Sequence, residues 1–442
     1  MAAADADLAE RLAERLDARP CADGAAVVGW RFDLATGWTV RAGLKDGRLG
    51  GPYEPPAAAR GTSGALYLRW SDGTCSHGSL DSHTLDDFDE RLAEWRANAY
   101  ADPYAPDIQP PAALPSVQTA DPAVEALVDG EPTPLLAWLH GARRRLLDDG
   151  IVRLDADCAA GRGWRYVFNS RGLRVAYPET SASHYLCADD LYWRSFQKRR
   201  RPTEGELAEL LDDLAGAMRA LREAATAPLG EVPVLLSPGL AMSFVATFVV
   251  ANLSGPNVVA RRSAFALDDF RARRRVMRDD LSLLVDTTLD LESAASPVSA
   301  EGVPGGVATL VESGRLVRPF ADLKYAARSG FPPTPVPGGS PGFLFRTERP
   351  LRPVEQIRAE IAAGLELHAV LGMHGQDSAS GRYTLVSPAA RVLLDGWHVG
   401  RAKVSFGGSF FEHLLDDRTA LVAYPWDLNP GLLIWTAVER QA

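Results

Sequence analysis

Arg391-Val392-Leu393-Leu394-Asp395-Gly396-Trp397-His398-Val399-Gly400-Arg401-Ala402-Lys403-Val404-Ser405-Phe406 holds two strand-forming runs around an Asp-Gly pair. Two central residues of that kind accept the left-handed conformations of a tight hairpin, so the runs pair antiparallel. The neighbouring sequence repeats the pattern. Val307 to Val311 and Arg315 to Phe320 flank Glu312-Ser313-Gly314, and Leu432 to Val438 is a late apolar strand. Phe331 to Gly342 is rich in Pro and Gly and reads as a surface loop. Residues 229–442 therefore read as a large antiparallel, barrel-like sheet with two or three helices.

The N-terminal part reads differently. Leu8, Leu12 and Leu16 recur at helical spacing, Ala25 to Phe32 and Thr36 to Arg41 read as strands, and Ala65 to Trp70 alternates before Asp72-Gly73. Thr84 is placed to cap a helix carrying Leu85, Phe88, Leu92 and Trp95. A proline-rich stretch near 103–122 reads as an extended connection. A helix over Leu135 to Leu147 and a hairpin around Asn169-Ser170-Arg171-Gly172 follow. The strongest helix signal starts at Thr203, whose capping box with Glu206 leads into Leu207, Leu210, Leu211, Leu214, Met218 and Leu221. It ends before Pro228, where the boundary is set. The expected class is α+β, with an N-terminal α/β domain over 1–228 and the barrel-like domain over 229–442.

Composition narrows the function. The 442 residues contain 46% hydrophobic and 24% charged side chains, ordinary for a chain that buries a core. A formal charge of −10 argues against a generally basic nucleic-acid binder. Each basic run (143–145, 198–201 and 273–275) is followed closely by acids, which cancel its field within about a Debye length. The four cysteines form no CxxC pair. Met1 to Arg19 lacks the pattern of a signal peptide, and no apolar run reaches the roughly 18 residues of a membrane span. A cytoplasmic protein without membrane or nucleic-acid partners is expected.

The chemistry-bearing patterns are few. None of the eight histidines is followed by Glu, so the sequence has neither HExxH nor HExxxH. His184 and Cys187 lie three apart on a predicted strand and point to opposite faces, which does not suit zinc. Adjacent acids such as Asp148-Asp149 and Asp279-Asp280 diverge around a helix and form no shared-proton pair. No P-loop or strand-linked GxGxxG occurs. One polar knot, His374 to Gly381, contains His374, Asp377 and Ser380. Their closeness in sequence suits a turn better than a triad assembled from separate segments. They stand as the weak substrate-path candidates.

Several segments, in order, resemble the TldD/TldE (PmbA) metalloprotease family. They are Gly64 to Trp70 with Asp72-Gly73; Phe168-Asn169-Ser170-Arg171-Gly172; Glu301-Gly302-Val303-Pro304 with Thr309 to Gly314; Gly372 to Asp377; Ser380 to Tyr383; and Phe410 to Leu414. The resemblance implies a heterodimer around an internal chamber, with zinc held by an HExxxH helix and a C-terminal cysteine of the TldD subunit. It also implies an extended, unfolded or leader-type peptide substrate, in one setting the precursor of a natural product. In this sequence the matching helix is Leu240 to Leu253, after Ser237-Pro238-Gly239. Ala246 and Ala251 fall at the histidine positions and Thr247 at the glutamate, while no cysteine follows Cys187. Alanine cannot ligate a metal and threonine cannot serve as a carboxylate base.

The chain is thus expected to resemble the TldE side. It would be a non-catalytic subunit with no cofactor or metal of its own, its zinc lying in a TldD-like partner. The helix reads as apolar nearly all round, hence as core or interface. Its two degenerate positions sit five apart, roughly 140° around an ideal helix, so the family's site calls for a local distortion. The alternatives are a peptide-binding or structural homo-oligomer of the same fold, or a repurposed metal-independent enzyme. The latter would use His374, Asp377 and Ser380, or His368 and His413.

Overall fold

The computed structural model describes residues 2–46, 48–49, 57–130, 132–335, 342–425 and 427–440. Six main strands build the first sheet: β1 (Ala25–Lys45), β2 (Ala57–Trp70), β3 (Cys75–Leu80), β4 (Leu154–Asn169), β5 (Arg174–Ala188) and β6 (Tyr192–Lys198). Their spatial order is β3-β2-β1-β4-β5-β6, with antiparallel neighbours throughout and β6 at one edge. The sheet curls into a half-barrel.

The two strands expected over 25–41 are one 21-residue strand. Asp33 falls where the sequence suggests a break, but Arg165 on β4 donates to both of its carboxylate oxygens, at 2.7 and 2.5 Å. A paired charge can stay in a half-buried strand. Close packing at Gly37 and Gly163, which face each other in register, then permits the curl. A Cβ on Gly163 would lie 1.9 Å from the Thr36 carbonyl oxygen, so no other residue fits there without moving the backbone.

One face of β1 serves two cores. Trp30, Phe32 and Leu34 pack with the helices Ala2–Asp17 and Phe88–Ala97. Val40, Ala42 and Leu44 pack with Thr133–Asp148 and with Glu204–Ala220, whose Thr203/Glu206 capping box is formed. The helix expected from Thr84 begins only at Phe88, because the Thr84 hydroxyl instead accepts from the Asp81 backbone N–H at 2.8 Å. The proline-rich connection carries neither helix nor strand over 105–121 and is tied down by side-chain hydrogen bonds. Thr119 donates to the Pro178 carbonyl at 2.6 Å, and Asn169 donates to the Gln109 carbonyl at 2.8 Å.

The C-terminal sheet closes on itself. Its ring consists of β7 (Gly230–Leu236), β8 (Ala363–Leu367), β9 (Arg382–Leu394), β10 (Trp397–Ser409) and β11 (Gly431–Arg440). β11 pairs with β10 and returns to β7, which completes the barrel. The Asp395-Gly396 hairpin joins β9 to β10 with Leu394 opposite Trp397. The expectation of an antiparallel sheet holds except at two parallel pairs, the short Arg352–Pro353 with Ala420–Ala423 and β7 with β8. Parallel neighbours need a long crossover, and residues 237–362 provide it. That crossover contains a smaller sheet, in which Leu281–Asp286 pairs with Val307–Glu312 and Phe343–Thr347. Of the loop expected over Phe331 to Gly342, residues 331–335 and 342 carry neither helix nor strand, and 336–341 lie outside the described residues.

One helix supplies much of the barrel core. Residues 238–253 leave β7 directly as a helix, and Phe244, Val245, Phe248 and Val249 pack with Leu367, Tyr383, Leu385, Phe406, Phe410 and Ile434. The Phe244 ring lies 5.1 Å from Tyr383 and 5.4 Å from Phe410. Truncating it leaves a cavity the closed ring cannot collapse into. Phe244→Ala is expected to cost about 3–5 kcal/mol in urea unfolding, whereas the exposed Val152→Ala stays within about 0.5 kcal/mol.

Candidate functional site

The helix that fills the barrel is not uniform. Pro238–Phe244 is α-helical, Val245–Val250 is a π-helix and Ala251–Leu253 is α-helical again. Pro238 suits the first turn, where its missing N–H costs nothing. A turn closed by i→i+5 bonds holds an extra residue, so positions five apart lie closer to one line than the roughly 140° of an ideal helix. The distortion that the spacing of Ala246 and Ala251 calls for is present at those residues.

The helix also has two faces, contrary to the all-round apolar reading. Phe244, Val245, Phe248 and Val249 are buried, but Ser243 and Ala246 are exposed and Thr247 and Ala251 half-buried. Small and hydroxylated side chains keep that face open. Ala246 and Thr247 line a cleft of about 380 Å³, together with Ser243, Trp193 from β6, His368 and His374. Ala251 is not in its wall, and its carbonyl accepts from Asn257 at 2.8 Å.

The polar knot divides. His374 reaches the cleft from a short turn, Met373–Gly375. Asp377 and Ser380 do not line it. The Asp377 carboxylate accepts from the Ala379 N–H at 3.0 Å, and the Ser380 hydroxyl donates to the Asp377 carbonyl at 3.1 Å. Both serve the turn itself. His413 is inside the barrel, its Nε2 2.8 Å from the Tyr383 hydroxyl, and is not in the cleft wall with His368. Among the described residues no group of three or more His, Cys, Asp or Glu is arranged to hold a metal ion.

Asn252 joins the helix to the knot, a role sequence reading missed. It is buried, and its amide donates to the Phe248 carbonyl at 2.8 Å and the Ser378 carbonyl at 2.7 Å, while its oxygen accepts from the Ala264 N–H at 2.6 Å. A lone amide in an otherwise apolar helix was the available signal. The other segments that carried the resemblance are also fasteners. Asn169 accepts from the Arg171 and Leu173 N–H groups at 2.9 and 3.2 Å. Glu301 pairs with Arg31 on β1 and accepts from the Leu323 N–H at 2.8 Å.

Trp193 and His368 meet where the half-barrel touches the closed barrel. The His368 ring stacks on Tyr192 at 4.0 Å and meets Trp193 edge-on at 5.0 Å. Neither ring nitrogen makes a well-formed hydrogen bond, and the residue is 7% exposed. Burial, reinforced by Arg391 and Arg194, pushes its pKa down to about 3, so the imidazole is neutral. The Arg391 guanidinium lies 5.2 Å over Tyr192 and 2.6 Å from the fully buried Glu366. Arg358 binds the same carboxylate through two bonds of 2.8 Å, and His398 through one of 2.8 Å. Despite the opposing effect of its burial, these partners hold Glu366 well below the usual carboxylate range.

Residues 229–420 match the family model described as the PmbA/TldA metallopeptidase C-terminal domain. The whole chain superimposes on TldE from Thermococcus kodakarensis with a TM-score of 0.79 at 15% identity, covering 98% of each chain. Residues 229–420 thus carry the PmbA/TldA metallopeptidase C-terminal domain, in a chain that has the TldE fold. A Thermotoga maritima protein named as a modulator of DNA gyrase aligns equally well in structure, with a TM-score of 0.79 at 17% identity over 97% of this chain and 100% of that one. An uncharacterized protein of Methanocaldococcus jannaschii is 22% identical over 298 residues, 65% of this chain and 68% of its own length. At these identities the structural likenesses establish the fold. Among the described residues no helix is long and apolar enough to cross a membrane.

His368 makes the seam acid-sensitive. Its folded pKa of about 3 lies below the roughly 6.5 of a free imidazole, so between those values the unfolded chain binds the proton and the folded chain does not. Stability is therefore expected to fall as pH falls through that window. His368→Phe is expected to flatten the fall, gaining on the order of 1–2 kcal/mol over wild type at pH 5 relative to pH 7 in urea titrations. An unchanged difference between the two pH values would refute this.

Proposed function

We propose that this chain is the non-catalytic, TldE-like subunit of a two-subunit TldD/TldE-type zinc peptidase, with the zinc held by an HExxxH-bearing partner. One observation carries the reading: the helix keeps a π turn at the matched positions, yet these present Ala246, Thr247 and Ala251 to the cleft side or beside it. A π turn is a local departure that recurs at functional sites. Here it has the shape of a metal-binding helix without its donors.

The residues present do not fit zinc. A catalytic site needs three protein ligands and an open position. In this cleft Ala246 offers no donor, the His368 nitrogens are buried, and His374 has no second and third ligand beside it. The chain's own contribution is then to complete the substrate enclosure and hold an unfolded or leader-type peptide in extended form. Strand addition to a free sheet edge reads backbone more than side chains, which suits varied peptides. The reading includes a cytoplasmic setting and excludes nucleic-acid and membrane partners.

Co-expression with an HExxxH-bearing relative tests it. A 1:1 complex with one zinc per dimer and peptidase activity absent from this chain alone is expected. Chelation-resistant hydrolysis by the isolated chain, or stoichiometric zinc in it, would overturn the proposal. A complementary variant, Ala246→His with Thr247→Glu and Ala251→His, is expected to stay inactive, because a further distant ligand is still missing. Peptidase activity in that variant would count against the assignment.

A further inference from the structure

We propose that the cleft beside residues 238–253 is a side-chain pocket for a bulky, uncharged aromatic residue of an extended polypeptide laid along the β6 edge. The inference rests on the peptide-handling role proposed above and names which peptides that role favours.

Size and chemistry both select. The cleft's roughly 380 Å³ is at the low end of ordinary ligand pockets, enough for one large side chain. Its walls combine Trp193, Leu240, Val370 and Met373 with the hydroxyls of Ser243 and Thr247 and the rings of His368 and His374, and among the described residues no Asp, Glu, Lys or Arg lines it. A charged side chain entering would lose its hydration with no opposite charge to meet. An apolar ring gains by the burial, and rings gain further by packing on rings. The neutral state of His368 keeps that wall uncharged as well.

The pocket is built rather than incidental. Trp193 is 37% exposed, yet it is held upright by the edge of His368 on one side and stacks with Tyr185 at 6.4 Å on the other. The end of the indole lies against the start of the helix, 3.9 Å from where a Cβ on Gly239 would stand, an ordinary contact distance. Ala246 leaves open the space that a larger side chain on the π turn would fill. Position then decides the occupant. Trp193 belongs to β6, the edge strand of the half-barrel, whose far end is covered where Ser293 donates to the Gln197 carbonyl at 2.9 Å and the Arg199 N–H to the Leu291 carbonyl at 2.8 Å, so an added segment meets the Trp193 end. An extended segment added there presents alternate side chains on the side where Trp193 and the cleft meet.

The experiment uses the full chain and two capped, unstructured Gly/Ser-rich peptides that differ only in one central residue, Trp or Asp. N-acetyltryptophanamide serves as a free small molecule. By calorimetry the Trp peptide is expected to bind at least about tenfold more tightly than its Asp twin. Ala246→Trp and, independently, Ser243→Trp should each reduce that preference to less than about twofold. Circular dichroism checks that both variants are folded. Equal binding of the two peptides, or a preference that survives both substitutions, overturns the pocket but leaves the peptide-handling role standing. Binding of neither peptide overturns both. If only N-acetyltryptophanamide binds, and the substitutions abolish it, the cleft is a small-molecule site and the proposal fails.

Discussion

The structure depends on β7 being hydrogen-bonded along both edges. Val232 to Leu236 pair in parallel with β8 over Val234 to Leu236 and antiparallel with β11 over their whole length. A strand without a free edge has no unpaired backbone to satisfy elsewhere. Val232, Val234 and Leu236 turn toward the barrel core and Leu235 toward the outer cluster around Ile357 and Leu393. Because the chain leaves this strand straight into residues 238–253, closure of the ring also fixes where that helix starts.

That helix carries two demands at once. Its buried face must fill a ring of five strands, which Phe244 and Phe248 do with Tyr383 and Phe410. Its other face must remain small enough to leave a cleft. The π turn reconciles them by widening one turn while the buried phenylalanines keep their packing. Asn252 ends the helix by tying it to the loop that carries His374. Cleft geometry thus follows from core packing.

The seam between the sheets is ordered by charge and stacking. Glu366 would be untenable alone, and its two arginines and His398 meet it at 2.6–2.8 Å. Arg391 then reaches across to Tyr192, and Tyr192 to Asp213 at 2.9 Å. Arg194 adds Asp213 at 3.1 Å and Asp427 at 3.3 Å. Of these contacts, Arg391 over Tyr192 and Arg194 to Asp427 join residues from opposite sides of residue 229, so the half-barrel is pinned to the barrel by groups that the clusters on either side hold in place.

The α+β class, the hairpins at Asp72-Gly73, Asn169 to Gly172 and Asp395-Gly396, and the capping box at Thr203 were all legible in the sequence. They rest on local turn chemistry and side-chain periodicity, which act within a few residues. The sequence alone also settles that Ala246 and Ala251 carry no metal donor and Thr247 no carboxylate, because donor chemistry belongs to the residue. Closure of the barrel, the parallel β7–β8 pair, the unbroken β1 and the open face of residues 238–253 were decided only in three dimensions. Each depends on a partner far along the chain: Gly230–Leu236 needs Gly431–Arg440, Asp33 needs Arg165, and the cleft needs Trp193 opposite Ala246. Long-range packing chooses such partners, and no local pattern records the choice.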